Sequence, residues 1–167
     1  MTQSALARHR RSPAPEPTLR LIVFQLRHQG FCLPLAMARR VIFSAADNPT
    51  TALGLTQLNQ ETIPLIDIAH WVYHDTPLLP GTGPGLGEAA VAPNPDQTIV
   101  VVDSPRAGAL GLLVDSLPTL RRAKASAFSP VPPTYLAINH IRGVNTLVNL
   151  SAEPAPLLLL NLEALLP

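Results

Sequence analysis

Two histidines four residues apart, His70 and His74, stand beside Asp67 and Asp75. On a helix, residues four apart share one face, a spacing compatible with a metal. The pattern stops there. Trp71, not Glu, follows His70, so the H-E-x-x-H run of a zinc hydrolase is missing, and no cysteine lies near. Two ligands read first as a wet helix face. No metal and no cofactor is expected.

Covalent catalysis needs a nucleophile beside a base and an orienting group. No G-x-S-x-G run occurs, and the single cysteine, Cys32, sits between Phe31 and Leu33. An apolar strand makes that thiol buried and inert. Asp67 and Asp115 each follow an apolar run, where capping or turn formation accounts for them. The glycines of 81–87 have the look of a phosphate loop, but no Lys-Ser/Thr follows and no strand leads in. Arg121-Arg122-Ala123-Lys124 is the basic cluster of the folded part. It reads as a charged strand edge that discourages pairing, and no aromatics interleave to stack bases. The chain is expected not to be an enzyme.

Composition agrees. Twelve Lys+Arg against eleven Asp+Glu give +1, which argues against a dedicated nucleic-acid binder, whose basic face is concentrated. No apolar run approaches the roughly 20 residues of a membrane span, so no direct membrane insertion is expected. One cysteine forbids an internal disulfide, and a cytoplasmic protein is the default. Only 14% of residues are charged, which leaves apolar surface for partners.

Nineteen prolines forbid long helices but suit short strands and turns. Residues 1–18 are polar and basic, with Arg8, Arg10 and Arg11, and read as a disordered tail before a folded part over 19–167. Residues 75–97, rich in proline and glycine, read as a long loop. Leu19–Leu26 and Phe31–Leu35 make a hairpin, and Ala36–Val41 has the spacing of a helical turn. Asp47-Asn48-Pro49 is a turn. Leu53–Leu58 and Thr62–Ile66 pair around Asn59-Gln60-Glu61, and Asp67 caps a short helix to Tyr73. Thr98–Val102 and Ala109–Val114 pair next, and the pattern runs on through residues 115–120. Pro130, Pro132 and Pro133 mark an irregular stretch. Ile138–Asn145 and Pro156–Leu160 are the last strands, and Asn161 caps a final turn to Leu166.

Within this order one unit occurs twice. Gly54-Leu55 leads through a turn to Pro64-Leu65-Ile66-Asp67, and Gly143-Val144 leads through a turn to Pro156 and Leu157–Leu160, then Asn161. Each unit runs from a glycine through two strands to a cap and a short amphipathic segment. Glycine inside such runs, as at Gly54, Gly111 and Gly143, marks a bulge, a corner or a close approach. About nine or ten short strands suit paired small barrels, not a doubly wound sheet.

The ordered set of Phe24, Leu33-Pro34-Leu35, Gly54-Leu55, Ile63–Ile68, Val100–Val102, Gly111–Asp115, Ile141-Arg142-Gly143 and Leu159–Leu166 resembles the CheW-like domain of bacterial chemotaxis coupling proteins. The resemblance covers about Leu21 to Leu166. It implies an all-β fold of two packed five-stranded SH3-like barrels with short helices and no catalytic site. It implies a non-enzymatic adaptor, its partners a chemoreceptor's cytoplasmic tip near the groove between barrels and a CheA-type histidine kinase regulatory domain at barrel ends. Recruitment to membrane receptor arrays or cell poles goes with that role. Where the family carries Arg-Gly this chain has Asn59-Gln60, where it carries Glu this chain has Arg40, and where it carries Asp this chain has Asn161. Arg40, Leu58, Asn59, Gln60 and Arg142 are the residues expected to tune partner contacts. The altered positions leave open a scaffold for another partner, such as a type IV pilus signalling component.

Overall fold

Strands buried on both faces need a continuous apolar run, and two such strands lead the hairpins that organise the described residues. In a computed structural model, which describes residues 13–43, 54–73 and 96–166, they are β1 (Thr18–Leu26) and β6 (Thr98–Ser104). Each opens a hairpin, β1 with β2 (Gln29–Pro34) and β6 with β7 (Gly108–Val114). The other strands are β3 (Ala38–Ile42), β4 (Leu55–Leu58), β5 (Glu61–Asp67), β8 (Thr119–Lys124), β9 (Phe128–Pro130), β10 (Val144–Val148) and β11 (Leu157–Leu160). The helices are α1 (Ile68–Tyr73), α2 (Pro133–Asn139) and α3 (Leu162–Leu165).

The strands form two curled sheets. One holds five strands in the order β3-β6-β7-β5-β4, and the other six, β8-β1-β2-β11-β10-β9, the last with only three residues. Chain order and sheet membership cross over. The first half gives its hairpin β1–β2 to the sheet otherwise built from the second half. The second half gives β6–β7 to the sheet otherwise built from β3, β4 and β5. In both sheets the donated hairpin meets the resident strands through one antiparallel pair, β1 with β8 and β6 with β3, and one parallel pair, β2 with β11 and β7 with β5. The units repeated in the sequence, β4–β5 and β10–β11, stay with their own halves, and the hairpins β1–β2 and β6–β7 that precede them are exchanged.

Period-two alternation explains why these hairpins hold the molecule together. Leu21 and Val23 of β1 join Cys32, Ala123, Val148 and Leu157 inside the six-stranded barrel. Ile22, Phe24 and Leu26 point the other way, into a core between the barrels. Ile99 and Val101 of β6 join Leu58, Ile63 and Leu113 inside the five-stranded barrel, while Val100 and Val102 enter the shared core. Both barrels thus rest on one apolar layer. Full burial of one such side chain stabilises by roughly 1.5–3 kcal/mol.

Both repeated units carry the expected cap and glycine. The Asp67 carboxylate accepts a hydrogen bond from the His70 amide at 3.3 Å, and Asn161 Oδ1 accepts from the Glu163 and Ala164 amides at 3.1 and 3.3 Å. Gly54 and Gly143 both take left-handed torsions, φ 70° and 66°. Each carbonyl accepts a hydrogen bond from the unit's second half, Leu65 N at 2.8 Å and Asn161 N at 2.7 Å. Gly111 serves packing instead. A methyl there would meet Leu65 at 2.9 Å and Ile99 at 3.1 Å.

Three local expectations are corrected. Ala36–Val41 is not a helical turn: a 3-10 turn covers Leu35–Met37, and Ala38–Ile42 is a strand pairing with β6. Sheet pairing of Val41 and Ile42 overrides the four-residue spacing. Ile138 lies in α2, not in a strand, because proline at the first helical positions presets φ for a helix. His140 (φ 51°) ends that helix, and β10 starts only at Val144. Residues 115–118 bend between strands, with Pro118 lacking the amide that pairing needs. The turn at Asp47-Asn48-Pro49 lies outside the described residues. So do most of the tail, with Arg8, Arg10 and Arg11, and the 75–97 loop up to residue 95. Of the tail's end, Pro17 O accepts from Ala125 N and Glu16 from Ser126 N, laying it along the 3-10 turn Ala125–Ala127 that follows β8.

Candidate functional site

The chain crosses between barrels after β2 and again after β7. The first crossing is the 3-10 turn at Leu35–Met37, and the second runs from Asp115 to Pro118. Asp115 holds the second in place. Its Oδ2 accepts from Arg27 N at 2.6 Å, its Oδ1 from Gln97 Nε2 at 3.1 Å, and its own amide donates to Gln25 O at 3.0 Å. The Asp expected as a turn former thus ties the end of β7 to the β1–β2 turn.

Beside these crossings lies a groove of about 250 Å³ lined by Arg20, Leu35, Leu120, Arg121 and Arg122. Leu35 comes from the first crossing and packs against the shared core. Leu120 comes from β8, directly opposite Ile22 of β1. Leu120 is 62% exposed and Leu117 in the second crossing 66%. Leucines at such exposure beside arginines make a candidate contact surface. Sequence reasoning missed this groove. Leu117 and Leu120 look like core residues until the sheet order places β8 at an edge. Arg121-Arg122-Lys124 does lie on that edge strand, as the charged-edge reading expects. A second hollow, about 320 Å³ under the β10–β11 loop, is lined by residues of that loop itself. Its Glu153 is paired with Arg121 at 2.8 Å.

The residues expected to tune partner contacts fall in two places. Asn59 and Gln60 form the two-residue turn of the β4–β5 hairpin, Leu58 facing Glu61 across it. Both turn residues take left-handed torsions, φ 49° and 71°. This pattern suits the right-handed strand twist and favours Asn then Gly. Asn59 fits, while Gln60 sits where glycine would be at ease. Leu58 is buried, 5% exposed, and anchors the hairpin from inside the barrel. Arg40 lies nearby on β3, exposed, next to a bulge that leaves Arg39 unmatched between the Ala38–Val102 and Arg40–Val101 pairs. Arg39 reaches Glu61 at 3.9 Å and Asp103 at 3.5 Å, joining β3 to the hairpin across the barrel opening. These exposed pairs contribute little energy, roughly 0.2–1 kcal/mol each. Arg142 lies elsewhere. Its backbone N–H donates to Val72 O at 2.8 Å and fastens the end of α1 to the β10 entrance. Tyr73 of α1 donates to Leu26 O at 3.4 Å, with the Arg27 guanidinium 4.4 Å above its ring.

The chemistry weighed from the sequence looks ordinary in place. Cys32 is fully buried, and desolvation pushes its thiol up to about 12. His70 is exposed, and His74 and Asp75 lie outside the described residues. Among the described residues, no three of His, Cys, Asp and Glu gather as a metal site. Nor is any helix there long and apolar enough to cross a membrane.

The fold can be set beside known proteins. A solved structure, the scaffolding protein TtCheW from Thermoanaerobacter tengcongensis, superposes with a TM-score of 0.59 over 87% of this chain and 90% of that one. Identity is 17%, so the likeness speaks to the fold. No curated protein sequence matches the chain. The model of the CheW-like domain matches residues 20–167, from the third residue of β1 past the end of α3. With the match spanning both exchanged barrels, this chain belongs to the CheW-like domain family.

Proposed function

We propose that this chain is a non-enzymatic adaptor that couples a chemoreceptor's cytoplasmic tip to a CheA-type histidine kinase. The observation that carries the reading is the groove at the two crossings. Leu35 and Leu120 offer apolar surface there, and Leu117 stands exposed in the adjoining second crossing, with no catalytic group among the groove's lining residues. A rod-like receptor tip presents side chains that such a shallow groove takes up by helix-in-groove packing. The kinase's regulatory domain docks on the open end of the five-stranded barrel, where Arg40 and the Asn59-Gln60 turn stand exposed. Two separate surfaces on one rigid body are what a coupling protein needs.

Family membership and the TtCheW likeness support the scaffold role. The test uses the receptor tip and the kinase regulatory domain from the same organism, each titrated against the full chain by calorimetry. Leu120→Asp should abolish receptor binding and spare kinase binding. Arg40→Glu and Asn59→Arg should alter kinase binding and spare receptor binding. Failure of the native chain to bind either protein would leave the fold without this role and favour another partner, such as a pilus signalling component.

A further inference from the structure

Arg20 and Arg122 stand directly opposite each other on β1 and β8. Directly opposed residues of an antiparallel pair share a face, their Cβ atoms about 4.5–5.5 Å apart, and like charges there repel. Both side chains are exposed, and among the described residues neither makes an ion pair. Arg121, between them in sequence, is by contrast satisfied by Glu153 at 2.8 Å. Alternation puts Lys124 on the same face as Arg122, two residues along β8. Glu16, near Lys124, has its carboxylate committed to the Ser126 amide. The result is a row of cations bordering the groove of Leu35 and Leu120.

Resting on the groove as the receptor-docking surface, we infer that Arg20 and Arg122 set its specificity: the docking segment is acidic and amphipathic. Its apolar ridge meets Leu35 and Leu120, and a carboxylate beside that ridge spans the two guanidiniums. One carboxylate can accept from two planar guanidinium forks, which turns a repulsive pair into a complementary one. The chain's own tail is a poor occupant, because its Arg8, Arg10 and Arg11 add positive charge to a cationic rim. Rim charges of this kind act mainly through encounter rate and selection against wrong partners.

The test uses three helical peptides with one leucine stripe, flanked by glutamate, glutamine or lysine, titrated against the full chain by fluorescence anisotropy. The native chain should bind the glutamate peptide roughly tenfold more tightly than the glutamine peptide, and the lysine peptide most weakly. R20E/R122E should reverse that order, and the glutamate preference should shrink with added salt. Far-UV dichroism of the double variant confirms the fold. Equal affinity for all three peptides, with binding still lost in L120D, would overturn the charge inference and leave the groove standing. Binding by none of them, or binding untouched by L120D, would overturn the groove as a docking site and this inference with it.

Discussion

Two glycines with nearly the same torsion should differ sharply in what an added methyl does. Gly54 and Gly143 hold φ at 70° and 66° before the first strand of each repeated unit. Alanine in that region costs about 1 kcal/mol of backbone strain at either position. The surroundings differ. Around Gly54 none of the described residues lies within 4 Å of the new Cβ, whereas at Gly143 the Leu165 methyls would stand at 2.5 and 2.6 Å. Leu165 belongs to the core shared by the barrels and is only 8% exposed, so α3 must shift or the side chain must leave its rotamer. Overpacking of that kind costs typically about 1–3 kcal/mol. Gly54→Ala should therefore lose about 1 kcal/mol and Gly143→Ala about 2–4 kcal/mol. In thermal melts followed by dichroism, that is about 3 °C against about 10 °C for a chain of this size. A cycle with Leu165→Ala separates strain from clash, since Gly143→Ala should cost only about 1 kcal/mol once Leu165 is short. Equal losses at the two glycines, or no coupling to Leu165, would refute the packing argument.

Other outcomes follow from the same geometry. Asn161→Ala removes the acceptor for two α3 amides and should cost about 1 kcal/mol by urea denaturation, while Asn161→Asp should be near neutral. Gln60→Gly relieves a left-handed side chain at φ 71° and should stabilise by about 0.5–1 kcal/mol in the same assay. The Cys32 thiol, pushed up to about 12 by burial, keeps its proton in the folded chain while the unfolded thiol loses it near pH 8.5. Its contribution is thus full below about pH 8.5 and is lost as pH rises toward 12, roughly 2 kcal/mol by pH 10. Comparison with Cys32→Ala isolates that slope, and a thiol reagent should label the native chain only as it unfolds.

Much of the architecture was legible in the residues. The doubled unit, with Gly54 and Asp67 answered by Gly143 and Asn161, foretells two like barrels, because a turn glycine and a helix cap are local demands on sequence. The continuous β-branched run at Thr98–Val102 foretells a buried strand. Long-range pairing was out of reach. Nothing local says that β1–β2 leaves its own half for the other barrel, and the same pairing turned Ala38–Ile42 into a strand despite its helical spacing. α2 was masked by its prolines, which read as irregular until they sit at a helix start. The contact surface was legible only in part. Asn59, Gln60 and Arg40 stood out because they depart from a family pattern, whereas Leu120 and Leu35 became visible only when the crossings brought them together. Arg39 gave no signal at all, since its role depends on a bulge and on Glu61 and Asp103 meeting it across the barrel opening.

The most direct test of the account is reconstitution of the three-part complex. Receptor tip and kinase regulatory domain are mixed with the native chain or with Leu120→Asp, and the complexes are resolved by size exclusion with light scattering. The native chain should bring receptor and kinase domain into one complex, and Leu120→Asp should leave a binary complex with the kinase domain alone. Receptor and kinase domain that never co-elute through the native chain, or a Leu120→Asp chain that still joins them, would contradict a coupling role built on this groove.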